Sequence, residues 1–281
     1  MTCVVRIRRL GAIAVVLACA GTPAQAWAAD ATPPGTVAPP TAPAWTVTVG
    51  VDADVEPSSE GSRRDALRFY PSFDIRPAGT PERFHSARES YSITLFDQGN
   101  WDIGVAGTPR FPRHDISGTP VHGLFGVSWG AELGGFVDYW FLPWLRGRTE
   151  LRQGVGAHHG IVSDLMADVV FPVTNVLTLS GGPRVTFATS AALAPYFSVD
   201  PLQSAATGLP VFDARGGLHT AGLGSQARYH WTKEWATNVF VEYERLLGDA
   251  ANSPIVTQRG TPNELTVGAG VTYSFDVKQF W

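Results

Sequence analysis

The sequence predicts an all-β fold. It is a transmembrane, antiparallel, up-and-down β-barrel of about twelve strands, with ten as the alternative count and both termini in the periplasm. Three observations carry this. The first is a period of two. Leu265, Val267, Ala269, Val271, Tyr273 and Phe275 are apolar, while Thr266, Gly268, Gly270, Thr272 and Ser274 between them are small or polar. Successive side chains of a strand point to opposite faces, so this spacing makes one greasy face and one polar face. The second is charge parity. Arg68, Asp74, Arg76, Asp102, Glu132, Asp138, Arg146, Arg148, Glu150, Arg152, Asp164, Asp168, Arg184, Arg228, Glu242 and Glu244 all stand at even positions. A lipid-facing Arg near the bilayer centre costs about 2–4 kcal/mol, and a polar lumen removes that cost. The third is loop length. The connections 53–66, 108–127, 188–220 and 246–263 are long, whereas 97–100, 142–143, 172–175 and 232–234 are short. Outer-membrane barrels have short periplasmic turns and longer external loops.

The elements follow in order. Residues 1–26 read as a secretory signal: Arg6, Arg8 and Arg9, an apolar core from Leu10 to Ala20, and the cleavage motif Ala24-Gln25-Ala26. Cleavage before Ala29 and a lipoprotein signal ending at Cys19 are the rival readings. Residues 27–43, rich in Pro, Ala and Thr, read as a periplasmic tether or a docking segment. The barrel takes 44–281. Its expected strands are Trp45–Asp52; Leu67–Arg76, where Pro71 implies a bulge or an exposed edge; a weakly marked third at Glu82–Ser86; Tyr91–Phe96; Trp101–Gly107; Ser128–Phe141; Trp144–Val155; Ile161–Phe171; Val176–Phe187; Ala221–Trp231; Trp235–Arg245; and a last one from Glu264. Trp45, Trp101, Trp129, Trp140, Trp144, Trp231 and Trp235 lie near strand ends and suit interfacial girdles.

Composition excludes several functions. The only cysteines, Cys3 and Cys19, lie in the signal, so the mature chain has no disulfide and no thiolate metal site. No cofactor is expected. A net charge of −4 argues against a nucleic-acid partner.

Three constellations invite chemistry. Glu132 and Asp138 on one strand, Arg146, Arg148, Glu150 and Arg152 on the next, and Asp164 and Asp168 on the third make an acidic–basic–acidic ladder. It reads as a salt-bridged plug or as the constriction of a selective channel; the balance of signs favours the plug. His158, His159, Ser163 and Asp164 suggest a hydrolase, but Ser163 and Asp164 have opposite parity, and a bare histidine turn is the simpler reading. Arg63, Arg64 and Arg68 read as solvated loop charges or as contacts to lipopolysaccharide phosphates. Tyr196–Val199 and Asp249–Val256 are too apolar and Pro-rich for free loops and are expected to fold over the external mouth.

The loops carry a resemblance. Pro195-Tyr196-Phe197-Ser198-Val199 followed by Gln203-Ser204-Ala205-Ala206-Thr207-Gly208-Leu209-Pro210, then Leu246-Leu247-Gly248-Asp249-Ala250-Ala251-Asn252-Ser253-Pro254-Ile255-Val256, the turn His159–Asp164 and the closing Gly270–Phe275 resemble the MltA-interacting protein MipA/OmpV family. The residues that carry the motifs are Tyr196, Phe197, Ser204, Gly208, Leu209, Gly248, Asp249, Ser253 and Pro254. The resemblance implies a non-enzymatic outer-membrane barrel in contact with lipid and lipopolysaccharide. It also implies a scaffold that joins a lytic transglycosylase to a penicillin-binding protein. A small-solute or antibiotic-permeable channel is the alternative, since some members are linked to antibiotic entry. No catalytic or binding residue carries over. The chain departs from the family at its end, where it continues past Phe275 with Asp276–Trp281, and in the length of the tether.

Overall fold

The computed structural model describes residues 45–113 and 123–278. The expected signal peptide and the tether lie outside the described residues, as do the last three positions. Eleven strands form one antiparallel sheet: β1 Trp45–Pro57, β2 Asp65–Pro77, β3 Tyr91–Gln98, β4 Trp101–Arg110, β5 Gly130–Leu142, β6 Leu145–Val155, β7 Ile161–Pro172, β8 Leu177–Ala188, β9 Gly217–His230, β10 Trp235–Leu246 and β11 Asn263–Val277. The order round the sheet is β2-β1-β11-β10-β9-β8-β7-β6-β5-β4-β3. The first and last strands pair along their length, from Trp45 opposite Val277 to Val55 opposite Val267. Both therefore end at the rim that carries the short turns.

The alternation becomes a wall with two faces. Phe69, Phe73, Ile93, Leu133, Leu151, Phe171, Leu223, Val239 and Leu265 are exposed on the outside. Large apolar side chains laid bare in this number belong against hydrocarbon. Among the described residues no helix is long and apolar enough to cross a membrane. At the short-turn rim aromatic rings meet: Trp101 with Tyr139 at 4.4 Å, Tyr229 with Trp231 at 4.7 Å and Trp235 with Tyr273 at 4.7 Å between centroids. This is the girdle expected where amphipathic rings sit at head-group level. Trp140 departs from it: it turns inward and packs edge-on against Phe84.

The third expected strand is absent from the wall. Every neighbouring pair is antiparallel, so counting round the sheet leaves β2 and β3 running in the same direction, away from the external rim. The chain must climb back between them. It does so inside, as an irregular segment 78–90, called here the strap. The reason lies in its side chains. Arg83, His85 and Glu89 occupy the odd positions, and Glu82, Ser86, Arg88 and Ser90 the even ones. Neither face is apolar, so no orientation in the wall spares a charge from lipid. Eleven wall strands plus one internal crossing keep both ends at one rim. Pro71 sits in β2 without a register shift, opposite Val51. β2 is an edge strand, the place where a residue lacking an N–H is tolerated.

Two of the long external loops carry helical turns. The β8–β9 connection forms α1 Ser190–Phe197 and α2 Pro201–Thr207, and the β10–β11 connection forms α3 Gly248–Asn252 and a π-turn Ile255–Arg259. Asp200 caps α2, accepting from the Gln203 N–H while the Gln203 side chain accepts from the Asp200 N–H. Gly208 ends α2 with a φ of 74°, a left-handed C-cap that favours glycine.

Candidate functional site: the lumen and its cover

The register of β5, β6 and β7 sets the ladder. Arg148 stands opposite Asp138, Arg146 opposite Asp168 and Glu150 opposite Asp164. Arg148 Nη1 donates to Asp138 Oδ2 at 3.0 Å and its Nε to Glu150 Oε1 at 2.7 Å. Arg152 reaches diagonally to Glu132 Oε2 at 3.0 Å, to Asp164 Oδ2 at 2.5 Å and to Glu150. Arg146 Nη2 donates to Asp168 Oδ2 at 2.9 Å. Glu132, Glu150 and Asp168 are fully buried. All eight ladder residues thus lie in one continuous ion-pair network.

The strap completes it. Arg146 Nη2 also donates to Glu89 at 2.6 Å, Ser90 Oγ donates to Glu150 at 2.6 Å, and Arg184 of β8 grips Asp168 Oδ1 at 2.6 Å beside Ser86. Lower down, Arg228 of β9 donates to Glu82 at 2.6 Å and Arg83 pairs with Asp97 at 2.5 Å. Arg88 crosses to the other wall, with Nη1 2.6 Å from Glu56 of β1 and Nε 2.9 Å from Glu242 of β10. Arg146 and Arg148 additionally lie over the rings of Phe84 and Phe136, at 4.6 and 4.0 Å. Strands from opposite sides of the sheet therefore converge on thirteen residues that cross the lumen between them.

Sequence reasoning placed the ladder charges, Arg184 and Glu242 inward but had no place for the strap, and it left Glu56 in the connection 53–66. The available signal was negative: a stretch of charges without alternation where a strand was needed. Two further readings are corrected. His158 is no bare turn residue; it is buried, with Nε2 2.8 Å from Glu132 Oε1. Gly154 makes room for it, because a Cβ there would fall 2.3 Å from the imidazole. Arg68 is no external loop charge; it points inward from β2, 2.8 Å from Glu56 and over the Phe111 ring. Ser163 lies on the outer parity, while inward-facing Asp164 accepts from Thr186 Oγ1 at 2.6 Å.

The motif residues of the loops are stitches between loops. Ser253 Oγ donates to the Phe197 carbonyl at 2.6 Å, joining the β10–β11 loop to α1. Asp249 accepts from the Arg215 N–H at 2.9 Å, and that bond holds its carboxyl below the ordinary range. Ser204 Oγ donates to the Leu209 carbonyl at 2.6 Å. Arg113, beyond β4, donates to the carbonyls of Tyr196 and Pro195 at 2.8 and 3.0 Å. Burial raises the Tyr196 phenol to about 12. Phe197, Leu193, Leu246, Ala250 and Val256 share a buried apolar core; Leu124, Val199, Leu209 and Ile255 share a second. Gly248, with a φ of 54°, opens α3, and Pro254, buried, precedes the π-turn. The β1–β2 loop joins as well: Arg63 Nε donates to the Gly260 carbonyl at 2.6 Å. Loops from four places on the rim thus interlock.

Against known proteins, the family description "MltA-interacting protein MipA" matches residues 49–275. No curated protein matches. Among solved structures the chain is similar to a bacterial polysaccharide outer membrane secretin, at 9% identity over 82% of this chain and 98% of that one, with a TM-score of 0.41. It is also similar to the CymD monoaromatic hydrocarbon channel, at 10% identity over 85% and 90%, TM-score 0.40. The NanC porin follows at 12% identity over 82% and 99%, TM-score 0.37. At these scores the likeness carries no functional argument.

Proposed function

The chain belongs to the MipA family of MltA-interacting proteins, and on that premise we propose that it is a closed, non-catalytic barrel that scaffolds murein enzymes. Its place is the outer membrane. The barrel holds its own interior shut with the strap and the ladder, and presents the short-turn rim to a lytic transglycosylase and, through it, a penicillin-binding protein. The observation that carries the closed state is the strap, bonded to β1, β6, β7, β9 and β10 at once. A protein that spends its lumen on internal ion pairs keeps its rims for partners. The non-catalytic reading rests on the same accounting, since the ladder charges are committed to one another and Ser163 and Asp164 face opposite ways. Surface plasmon resonance with the micelle-solubilised barrel and a purified lytic transglycosylase tests the scaffold role. Saturable binding that weakens when the turn Thr232-Lys233-Glu234 is replaced by Gly-Ser-Gly supports it. No binding to the intact barrel contradicts it.

A further inference from the structure

The wall made by β1, β11 and β10 differs from the ladder. Its inward residues line up in rows by register: Asp52, Gly270 and Asn238; then Asp54, Gly268 and Phe240; then Thr266 and Glu242, with Glu56 following Asp54 along β1 and Glu264 and Glu244 above. The middle strand offers a floor of Gly, Gly and Thr, and the flanking strands offer carboxylates. The floor must be that low. A Cβ on Gly270 would fall 1.9 Å from Asp52 Oδ1 and 2.7 Å from Asn238 Oδ1, and one on Gly268 would fall 2.3 Å from Asp54 Oδ1.

Six carboxylates face this recess: Asp52, Asp54, Glu56, Glu242, Glu244 and Glu264. Among the described residues only three cations pair with them, Arg68 and Arg88 with Glu56, and Arg88 and Arg184 with Glu242. Asp54 is 4% exposed, and its Oδ1 is buried without a hydrogen-bond partner. A buried carboxylate oxygen with no donor is costly and calls for a cation. The strap's Arg88 leaves that oxygen unpaired and forks its guanidinium between Glu56 and Glu242. Those two flank a middle strand, so their backbones stand roughly 9–10 Å apart. Arg88 has a φ of 65°, the left-handed region that side chains disfavour, and among the described residues no other non-glycine adopts it. Strain of this kind persists where surrounding contacts enforce it. The Arg88 side chain is also 31% accessible, whereas Glu56 and Glu242 are 10% and 8%. The carboxylates are built in, and their occupant can be reached.

We propose that this recess is a binding site for a guanidinium-bearing solute, and that Arg88 fills it as a tethered stand-in. A solute cation that takes the two carboxylates releases the strap from β1 and β10. The site goes beyond the scaffold reading and needs only the strap's position, not the identity of a periplasmic partner.

The test is calorimetric titration of methylguanidinium into the micelle-solubilised barrel, with sodium chloride at equal concentration as the control for ionic strength. R88G frees the site and accepts the left-handed backbone. It is expected to bind methylguanidinium at least about tenfold more tightly than the wild type, as a charge-assisted fork between two carboxylates requires. E56Q and E242Q added to R88G remove that gain. Equal binding by wild type and R88G, equal binding by R88G and the triple variant, or an equal response to sodium chloride overturns the proposal. Far-UV circular dichroism checks folding. If R88G does not fold, R88N, which also tolerates a positive φ, is titrated in its place: tighter binding than the wild type supports the proposal, and equal binding overturns it. Whether the wild type conducts is a separate measurement, so an open wild-type barrel would overturn the closed reading without deciding the recess.

Discussion

The two walls of the lumen handle charge in opposite ways. On β5, β6 and β7 every acid touches an arginine of its own wall, in register, on the diagonal or two residues along the strand, and Arg110 of β4 and Arg184 of β8 add their charge from the adjoining strands. On β1, β11 and β10 the inward acids have no inward base on their own strands, glycines hold the floor open, and the cation that joins Glu56 to Glu242 comes from a segment that belongs to no strand. Local pairing makes a wall that is rigid and finished. Charge balanced by a distant residue makes a wall that is complete only while that residue stays.

Breaking the first wall is expected to have the largest effect. R148A leaves Asp138 and Glu150 buried with fewer partners, and removal of one member of a buried pair costs about 3–5 kcal/mol. Urea unfolding of micelle-solubilised barrel, followed by tryptophan fluorescence, measures it; wild-type stability would show the ladder to be dispensable. A smaller loss, about 2 kcal/mol, is expected for S90A, which removes a buried hydrogen bond to the Glu150 carboxylate. An unchanged midpoint would mean that the strap is not held there. The smallest effect belongs to the second wall. D54N removes a charge that has no partner, so stability is expected to stay within about 0.5 kcal/mol or to rise. A loss as large as that of R148A would make the two walls alike.

The contrast also sorts what the sequence could reveal. The ladder was legible because its information is local: even parity on three consecutive strands joined by short turns brings Arg148 to Asp138 without knowledge of the rest. The strands expected at Trp45–Asp52 and from Glu264 were legible for the same reason, although β1 runs on to Pro57 through residues expected in a loop. The strap was not, because its partners lie as far away in sequence as Glu242, and nothing near Arg88 announces them. Its failed alternation was visible, yet the loop lengths asked for a twelfth crossing and hid the alternative that the crossing runs inside. His158 was misjudged for a related reason, since Gly154, four residues earlier, is what lets the ring fold inward onto Glu132. Tyr196, Phe197, Ser253 and Asp249 stood out as motif residues, but their work as stitches between loops depends on contacts such as Ser253 to Phe197 that only the fold supplies.

The central claim is that residues 78–90 occupy the lumen. Single-channel conductance in planar bilayers tests it most directly, comparing the wild type with a variant in which residues 82–89 become an equal length of alternating Gly and Ser. The variant keeps the connection from β2 to β3 and loses every strap contact made by those residues. The account predicts no stable open current for the wild type and a steady ohmic current for the variant. A wild-type barrel that conducts as well as the variant would contradict it.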